Sequence, residues 1–266
     1  MESILIPVFM NPPAIRALRK KMAAGDACAG LWITLESPSI TEMAVACGAD
    51  WVVLDAEHGH LDWSQLVAHL RCVARSNTVA LIRLATIDDG LIKRALDIGA
   101  DGVVLPWVET PDQLARGVAA ATYPPEGRRG IGAERATLWG AGIADHVREA
   151  RDHTLVVPLI ESVRAAENIE ALAQVDGVEF YYFGPADFTA TAGSAGEWET
   201  PEVAESMRRC VEVLRRHNRY AGVVCRDRDD MARRRQEGFQ MLGAGLDAGL
   251  LFGRLRERFT EINKLP

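Results

Sequence analysis

Four residues of this chain, His58, Arg83, Glu161 and Asp187, are spaced so that one fold would turn them towards each other. His58 and Arg83 lie 25 residues apart, and Glu161 and Asp187 lie 26 apart, each about one strand–helix unit. Two carboxylates without a neighbouring cysteine suit a hard divalent cation. Mg²⁺ takes one or two carboxylates, keeps waters and accepts substrate oxygens. Arginine adds a planar, permanently charged fork for a carboxylate or enolate. Histidine moves protons near neutral pH. Cation, arginine and histidine together are what proton abstraction next to a carbonyl requires.

Each residue also has a simpler reading. His58 could be a hydrogen-bonded loop residue, Arg83 a structural ion pair with Asp55 or Glu57, and Asp187 a helix cap. Glu161 follows the apolar run "VVPLI". A carboxylate there is costly unless it is paired or holds a metal.

The elements that must carry these groups are legible as apolar runs. They are "AGLWITL" (29–35), "WVVLDAE" (51–57), "VALIRLA" (79–85), "GVVLPWV" (102–108), "LVVPLIE" (155–161), "EFYYFGPAD" (179–187), "YAGVVC" (220–225) and "FQMLGAG" (239–245). Most are continuous and not alternating, as in parallel strands buried on both faces. Amphipathic stretches such as "DDGLIKRALDIGA" separate them, and Gly48, Gly99, Gly177 and Gly238 suit left-handed helix ends. Eight such units predict an α/β fold, a single (β/α)8 TIM barrel of parallel strands spanning 1–266. A doubly wound open sheet is second choice, because no glycine fingerprint follows the first strand. In a barrel, side chains at the C-terminal ends of the strands converge on one mouth.

Two stretches interrupt the pattern. The segment 109–154 exceeds one connection and contains "YPPEGRRGIGAER", read as a functional loop plus helix. "CRDRDDMARRRQE" reads as a solvated helix face with i,i+4 ion pairs.

Composition sets outer bounds. With 266 residues, 48% hydrophobic and 25% charged, the chain is of ordinary globular type and needs no structural staple. Its net charge of −7 argues against nucleic acid as main partner. The five cysteines are scattered and odd in number, as in reduced thiols of a cytoplasmic protein. The start "MESILIPVFMNPP" lacks a basic region and is not read as a signal peptide, and no run of 18 apolar residues predicts a membrane span.

An ordered set of motifs also resembles one family. "LDAEH" (54–58), "IRL" (82–84), "LDIGADGVVLP" (96–106), "YPPEGRRGIG" (123–132), "IES" (160–162), "GPADFT" (184–189) and "GFQMLGAGLDAGLL" (238–251) are similar to the HpcH/HpaI family of class II, metal-dependent pyruvate aldolases. These include the 4-hydroxy-2-oxoheptanedioate and 2-keto-3-deoxy sugar acid aldolase types. The resemblance runs through about residues 15–255. It implies a barrel whose last helix packs on a neighbouring subunit, in a hexamer built as a trimer of dimers. It implies Mg²⁺, Mn²⁺, Co²⁺ or a similar divalent cation held by Glu161 and Asp187. Pyruvate would meet Gly184, Pro185, Ala186 and Asp187, with Ala186 donating an N–H. It further implies His58 as general base, Arg83 as transition-state stabiliser, and Asp97 as the aspartate that raises the basicity of His58.

The chain departs from the family pattern in places. Leu159 stands where relatives often carry Gln, and Phe188-Thr189 where Leu-Ser is common. His60 receives no role. The expected reaction is reversible cleavage of a 4-hydroxy-2-oxo acid into pyruvate and an aldehyde, through an enolate. No lysine ends a strand, since Lys93 lies in a helix pattern and Lys20 and Lys21 lie near the N-terminus, so a Schiff base is not expected. The aldehyde end is expected to be built from the loop at 124–140, the region near Trp32 and Glu36, and a neighbouring subunit, with Arg128, Arg129 or Arg135 either pairing an anionic tail or anchoring the loop or a subunit contact. Alternatives are a CoA-ester lyase of the citrate lyase β or malyl-CoA lyase type, an oxaloacetate decarboxylase, and an inactive binding barrel.

Overall fold

The computed structural model describes residues 11–265; the first ten residues, on which most of the signal-peptide reading falls, lie outside them. Eight strands form one closed, all-parallel barrel: β1 (Cys28–Ile33), β2 (Trp51–Asp55), β3 (Val79–Arg83), β4 (Gly102–Leu105), β5 (Leu155–Ile160), β6 (Phe180–Phe183), β7 (Tyr220–Val224) and β8 (Met241–Leu246). Around them run α1 (Pro12–Ala23), α2 (Pro38–Ala46), α3 (Trp63–Val73), α4 (Asp89–Asp97), α5 (Pro111–Ala121), α6 (Ile143–His153), α7 (Val163–Glu167), α8 (Ile169–Leu172), α9 (Pro185–Thr191), α10 (Pro201–Arg216), α11 (Arg228–Gln236) and α12 (Asp247–Ile262). This is the expected (β/α)8 barrel, with a strand in each of the eight apolar runs. Gly48, Gly99, Gly177 and Gly238 all adopt positive φ, between 82° and 97°.

Strand side chains alternate between two cores. Val52, Leu54, Ala80, Ile82 and Val103 pack outward against the helices. Trp51, Val53, Val79, Leu81, Val157, Leu159 and Tyr182 fill the barrel. Because a strand repeats every two residues, Asp55, Arg83 and Glu161 continue the inward rows of Val53, Leu81 and Leu159. This pleat turns strand ends into site residues. Helix α1, to which sequence reasoning assigned no element, contributes Ala14, Ile15, Leu18 and Met22 to the inner core.

The interior is filled by interlock. Trp51 and Tyr182 meet edge to face, with centroids 5.7 Å apart. A Cβ at Gly30 would lie 2.1 Å from the Trp51 ring, and one at Gly243 2.5 Å from the Tyr182 hydroxyl. Only glycine lets β1 and β8 approach these rings.

Helix α12 is different. Leu250, Leu251, Phe252, Leu255, Phe259 and Ile262 are each 44–66% exposed. Beside its first turn runs an apolar groove of about 460 Å³, walled by Leu31, Ile40, Met43 and Leu250. All five cysteines are free, and Cys28, Cys210 and Cys225 are buried. Among the described residues no helix is long and apolar enough to cross a membrane.

Candidate active site

A cavity of about 160 Å³ opens at the C-terminal ends of the strands. His58, Arg83, Glu161, Gly184, Pro185, Ala186 and Asp187 all line it, so seven of the eight residues singled out for the site share one wall. Arg83 is the last residue of β3 and Glu161 follows the last residue of β5. His58 lies three residues past β2, on an exposed turn with its side chain 69% accessible. Asp187 was expected to end strand 6 and does not. Strand β6 stops at Phe183, the chain turns at Gly184, and Asp187 sits in the first turn of α9.

Arg83 is braced by two carboxylates. Its Nε donates to Asp55 Oδ1 at 2.9 Å and its Nη2 to Oδ2 at 2.5 Å. Its Nη1 lies 3.0 Å from Glu57 Oε2. The register of β2 on β3 sets Asp55 directly beside Arg83. Asp55 is fully buried. Burial alone would raise its carboxyl, but the Arg83 bonds and the backbone N–H groups of His58 and Glu57 outweigh it and hold it below the usual range. Asp55 thus fixes both the arginine and the turn that carries His58. The structural ion pair weighed for Arg83 exists, and the arginine still lines the cavity. Trp32 stacks on its guanidinium at 4.9 Å and donates through Nε1 to Tyr182 Oη at 3.0 Å.

Glu161 is 3% exposed. Burial, aided by the charges of Asp187 and Glu57, pushes its carboxyl up to about 7 against an opposing N–H from Trp107 and the charge of Arg83. That N–H donates to Oε1 at 2.7 Å. Trp107 was missed from the sequence. It holds a left-handed φ of 51° at the point where its peptide N–H meets the carboxylate. Gly184 passes so close that a Cβ there would lie 2.9 Å from Oε2.

The donor set fits a hard divalent cation. Glu161 is a desolvated carboxylate crowded by like charges, the situation a bound cation relieves. Among the described residues no three His, Cys, Asp or Glu side chains converge as a closed cage. Two carboxylates leave the remaining positions to water and substrate oxygens, the pattern preferred by Mg²⁺.

Asp97 is not brought to His58. It closes α4 at the opposite end of the barrel and accepts from Arg129 Nη2 at 2.8 Å. The loop at 124–140 also lies at that end and not at the mouth. Arg129 N–H bonds the Thr122 carbonyl, and Arg135 Nη1 bonds the Ile98 carbonyl. Arg128 reaches Asp89 at 3.0 Å. Within one chain these arginines anchor the loop, and none lines the cavity.

The charge run of α11 is not a solvated face. Its i,i+4 pairs form, but Arg234 is fully buried and Asp230 is 4% exposed. Glu199, far along the chain, accepts from Arg233 at 2.8 Å and from Arg234 at 2.5 Å. A charge pattern within one segment does not reveal a partner 35 residues upstream.

Known proteins are similar to this chain in sequence and fold. The sequence profile of the HpcH/HpaI aldolase/citrate lyase family matches residues 28–253. The chain is 35% identical to a hydroxypyruvate/pyruvate aldolase of Sagittula stellata over 231 residues, 86% of this chain and 91% of that one. It is 33% identical to a 4-hydroxy-2-oxovalerate aldolase of Novosphingobium aromaticivorans over 88% of this chain and 89% of the other. Among solved structures, an HpcH/HpaI aldolase/citrate lyase family protein from Burkholderia cenocepacia superposes with a TM-score of 0.87 at 28% identity, covering 93% of this chain and 99% of that one. With a match that runs from the first strand into the last helix, the chain belongs to the HpcH/HpaI aldolase/citrate lyase family.

Proposed function

We propose that this enzyme is a class II aldolase that reversibly cleaves a 4-hydroxy-2-oxo acid into pyruvate and an aldehyde. The observation that carries the reading is Glu161, a buried carboxylate pushed up to about 7, sharing one cavity with Asp187, Arg83 and His58. Relatives named hydroxypyruvate/pyruvate aldolase and 4-hydroxy-2-oxovalerate aldolase support the same class.

Glu161 and Asp187 would hold Mg²⁺, Mn²⁺ or Co²⁺, which as a Lewis acid draws electron density from the oxygens of the 2-oxo acid. The backbone from Gly184 to Asp187 orients that acid, with the Ala186 N–H as donor. His58, through a water, takes the proton of the C4 hydroxyl. The C3–C4 bond then breaks, the aldehyde leaves, and the electron pair stays on the three-carbon fragment as an enolate. Arg83, held by Asp55 and Glu57, turns its remaining N–H groups to that negative charge. Return of a proton to C3 gives pyruvate.

Asp97 serves His58 only across a contact between copies, since the two lie at opposite ends of one barrel. Assembly into such copies has support in α12. Its exposed apolar side chains match the apolar groove beside β1, where a barrel of this type ordinarily seats its last helix. A second copy's helix would fill it, consistent with a hexamer assembled from dimers. The enzyme works in the cytoplasm on small molecules.

The test is release of pyruvate from a 4-hydroxy-2-oxo acid before and after treatment with a chelator. Activity should vanish with the cation and return with Mg²⁺, Mn²⁺ or Co²⁺. Borohydride with pyruvate should leave no covalent adduct. An adduct on a lysine overturns the class II mechanism, and absence of pyruvate with all three cations overturns the aldolase.

A further inference from the structure

The site described above leaves one arc of the cavity unused. Its carboxylates stand after β5 and β6, while Val224 and Leu246 end β7 and β8. Trp198, from the connection between α9 and α10, completes that side of the wall. Among the described residues, the only titratable side chains that line the cavity are His58, Arg83, Glu161, Asp187 and the Tyr182 hydroxyl. Arg83 is already spanned by two carboxylates. The arc left for the aldehyde is therefore formed, within one chain, mainly by the side chains of Trp198, Val224 and Leu246.

Trp198 is held from both flanks. Its carbonyl accepts from Thr189 Oγ1 at 3.3 Å. Its neighbour Glu199, 5% exposed, is clamped by Arg233 and the fully buried Arg234 of α11. Arg234 in turn stacks on Phe239, with 5.6 Å to the ring centre. The buried charges of α11 thus end, two side chains away, on an indole in the cavity wall. A wide ring whose backbone is held on such a support limits the length of that arc.

Resting on the aldolase reading, we infer that Trp198, clamped through Glu199 onto α11, is the acceptor-side specificity residue and restricts the enzyme to short aldehydes. An apolar pocket discriminates by about tenfold or more per methylene it cannot seat.

The experiment measures kcat/KM for addition of pyruvate to acetaldehyde and pentanal, with the full-length protein and added Mn²⁺. Wild type should favour acetaldehyde over pentanal by about tenfold or more. Trp198→Ala should lower the acetaldehyde-to-pentanal ratio by about tenfold, and Trp198→Phe, which keeps an aromatic ring and guards against misfolding, by less. Glu199→Gln keeps the indole but loosens its clamp, so the ratio should fall and do so through KM for pentanal. An unchanged ratio in both Trp198 variants overturns the inference, and an unchanged ratio in Glu199→Gln overturns the clamp. No product from either aldehyde would overturn the aldolase reading, and this inference with it.

Discussion

Glu161→Gln in metal-free protein should stabilise the fold at high pH and not at low pH. Glu161 is 3% exposed, so its charge gains little from solvent. Its carboxyl stands near 7 in the folded chain against an ordinary 4.5. A group raised on folding keeps its proton better in the native state, so stability is full below 4.5 and declines as pH climbs through 7. The two values differ by about 3 kcal/mol of stability. Glutamine keeps the oxygen that accepts from Trp107 but never ionises. Its own amide hydrogens cost about 1–2 kcal/mol, equally at every pH. The diagnostic quantity is therefore the pH-dependent part. Urea unfolding in chelator from pH 5 to 8.5 should show the variant gaining on wild type by about 3 kcal/mol across that range. Added Mn²⁺ should reverse the order, since a cation bound only by the native state contributes about 3 kcal/mol at a hundredfold excess over Kd. Parallel curves, or a variant that Mn²⁺ stabilises as well as wild type, would refute the placement of a desolvated, metal-holding carboxylate at 161.

Other perturbations probe the rest of the site. Asp55→Ala should lower stability by about 3 kcal/mol in urea unfolding, because it leaves Arg83 buried with only Glu57 as partner; a loss under 1 kcal/mol would show that Glu57 suffices. His58→Ala should lose about 10²- to 10⁴-fold in cleavage rate while its melting temperature holds, since the turn is exposed. A His58 variant within a few-fold of wild type removes it from proton transfer. Arg83→Lys keeps the charge but not the fork, so kcat should fall for both cleavage and deuterium exchange into pyruvate. A change confined to KM would limit Arg83 to holding the substrate.

The barrel was legible because its strands are buried on both faces, and a chain can build such strands only from continuous apolar runs. The strand-end polar groups stood out against that background, and the pleat carried Arg83 and Glu161 inward without help from distant residues. Asp187 was misplaced by a few residues, because a strand and the first turn after it share the same apolar lead-in. Other features depended on contacts far apart in sequence. Nothing near Arg234 announces Glu199, and nothing in "GRRGIGAER" says that the loop folds against the end of α4 and not over the mouth. The role of Trp107 lies in a backbone angle and a peptide hydrogen, to which side-chain reasoning is blind. Trp198 sits in a polar connection, and only the closed fold turns it into a wall.

The interlock of Trp51 and Tyr182 with Gly30 and Gly243 has a consequence for how the interior can vary. These residues come from β1, β2, β6 and β8, yet they fill one volume. A methyl group at Gly30 has no room while the indole is present, and a smaller residue at position 51 leaves a void while position 30 stays glycine. Either step alone should be damaging, and the two together should be far milder than their sum. Drift within the barrel is thus channelled into paired replacements on neighbouring strands. A homologue that has lost the indole at position 51 should carry a bulkier residue at position 30, with the ring volume redistributed and the packed total conserved.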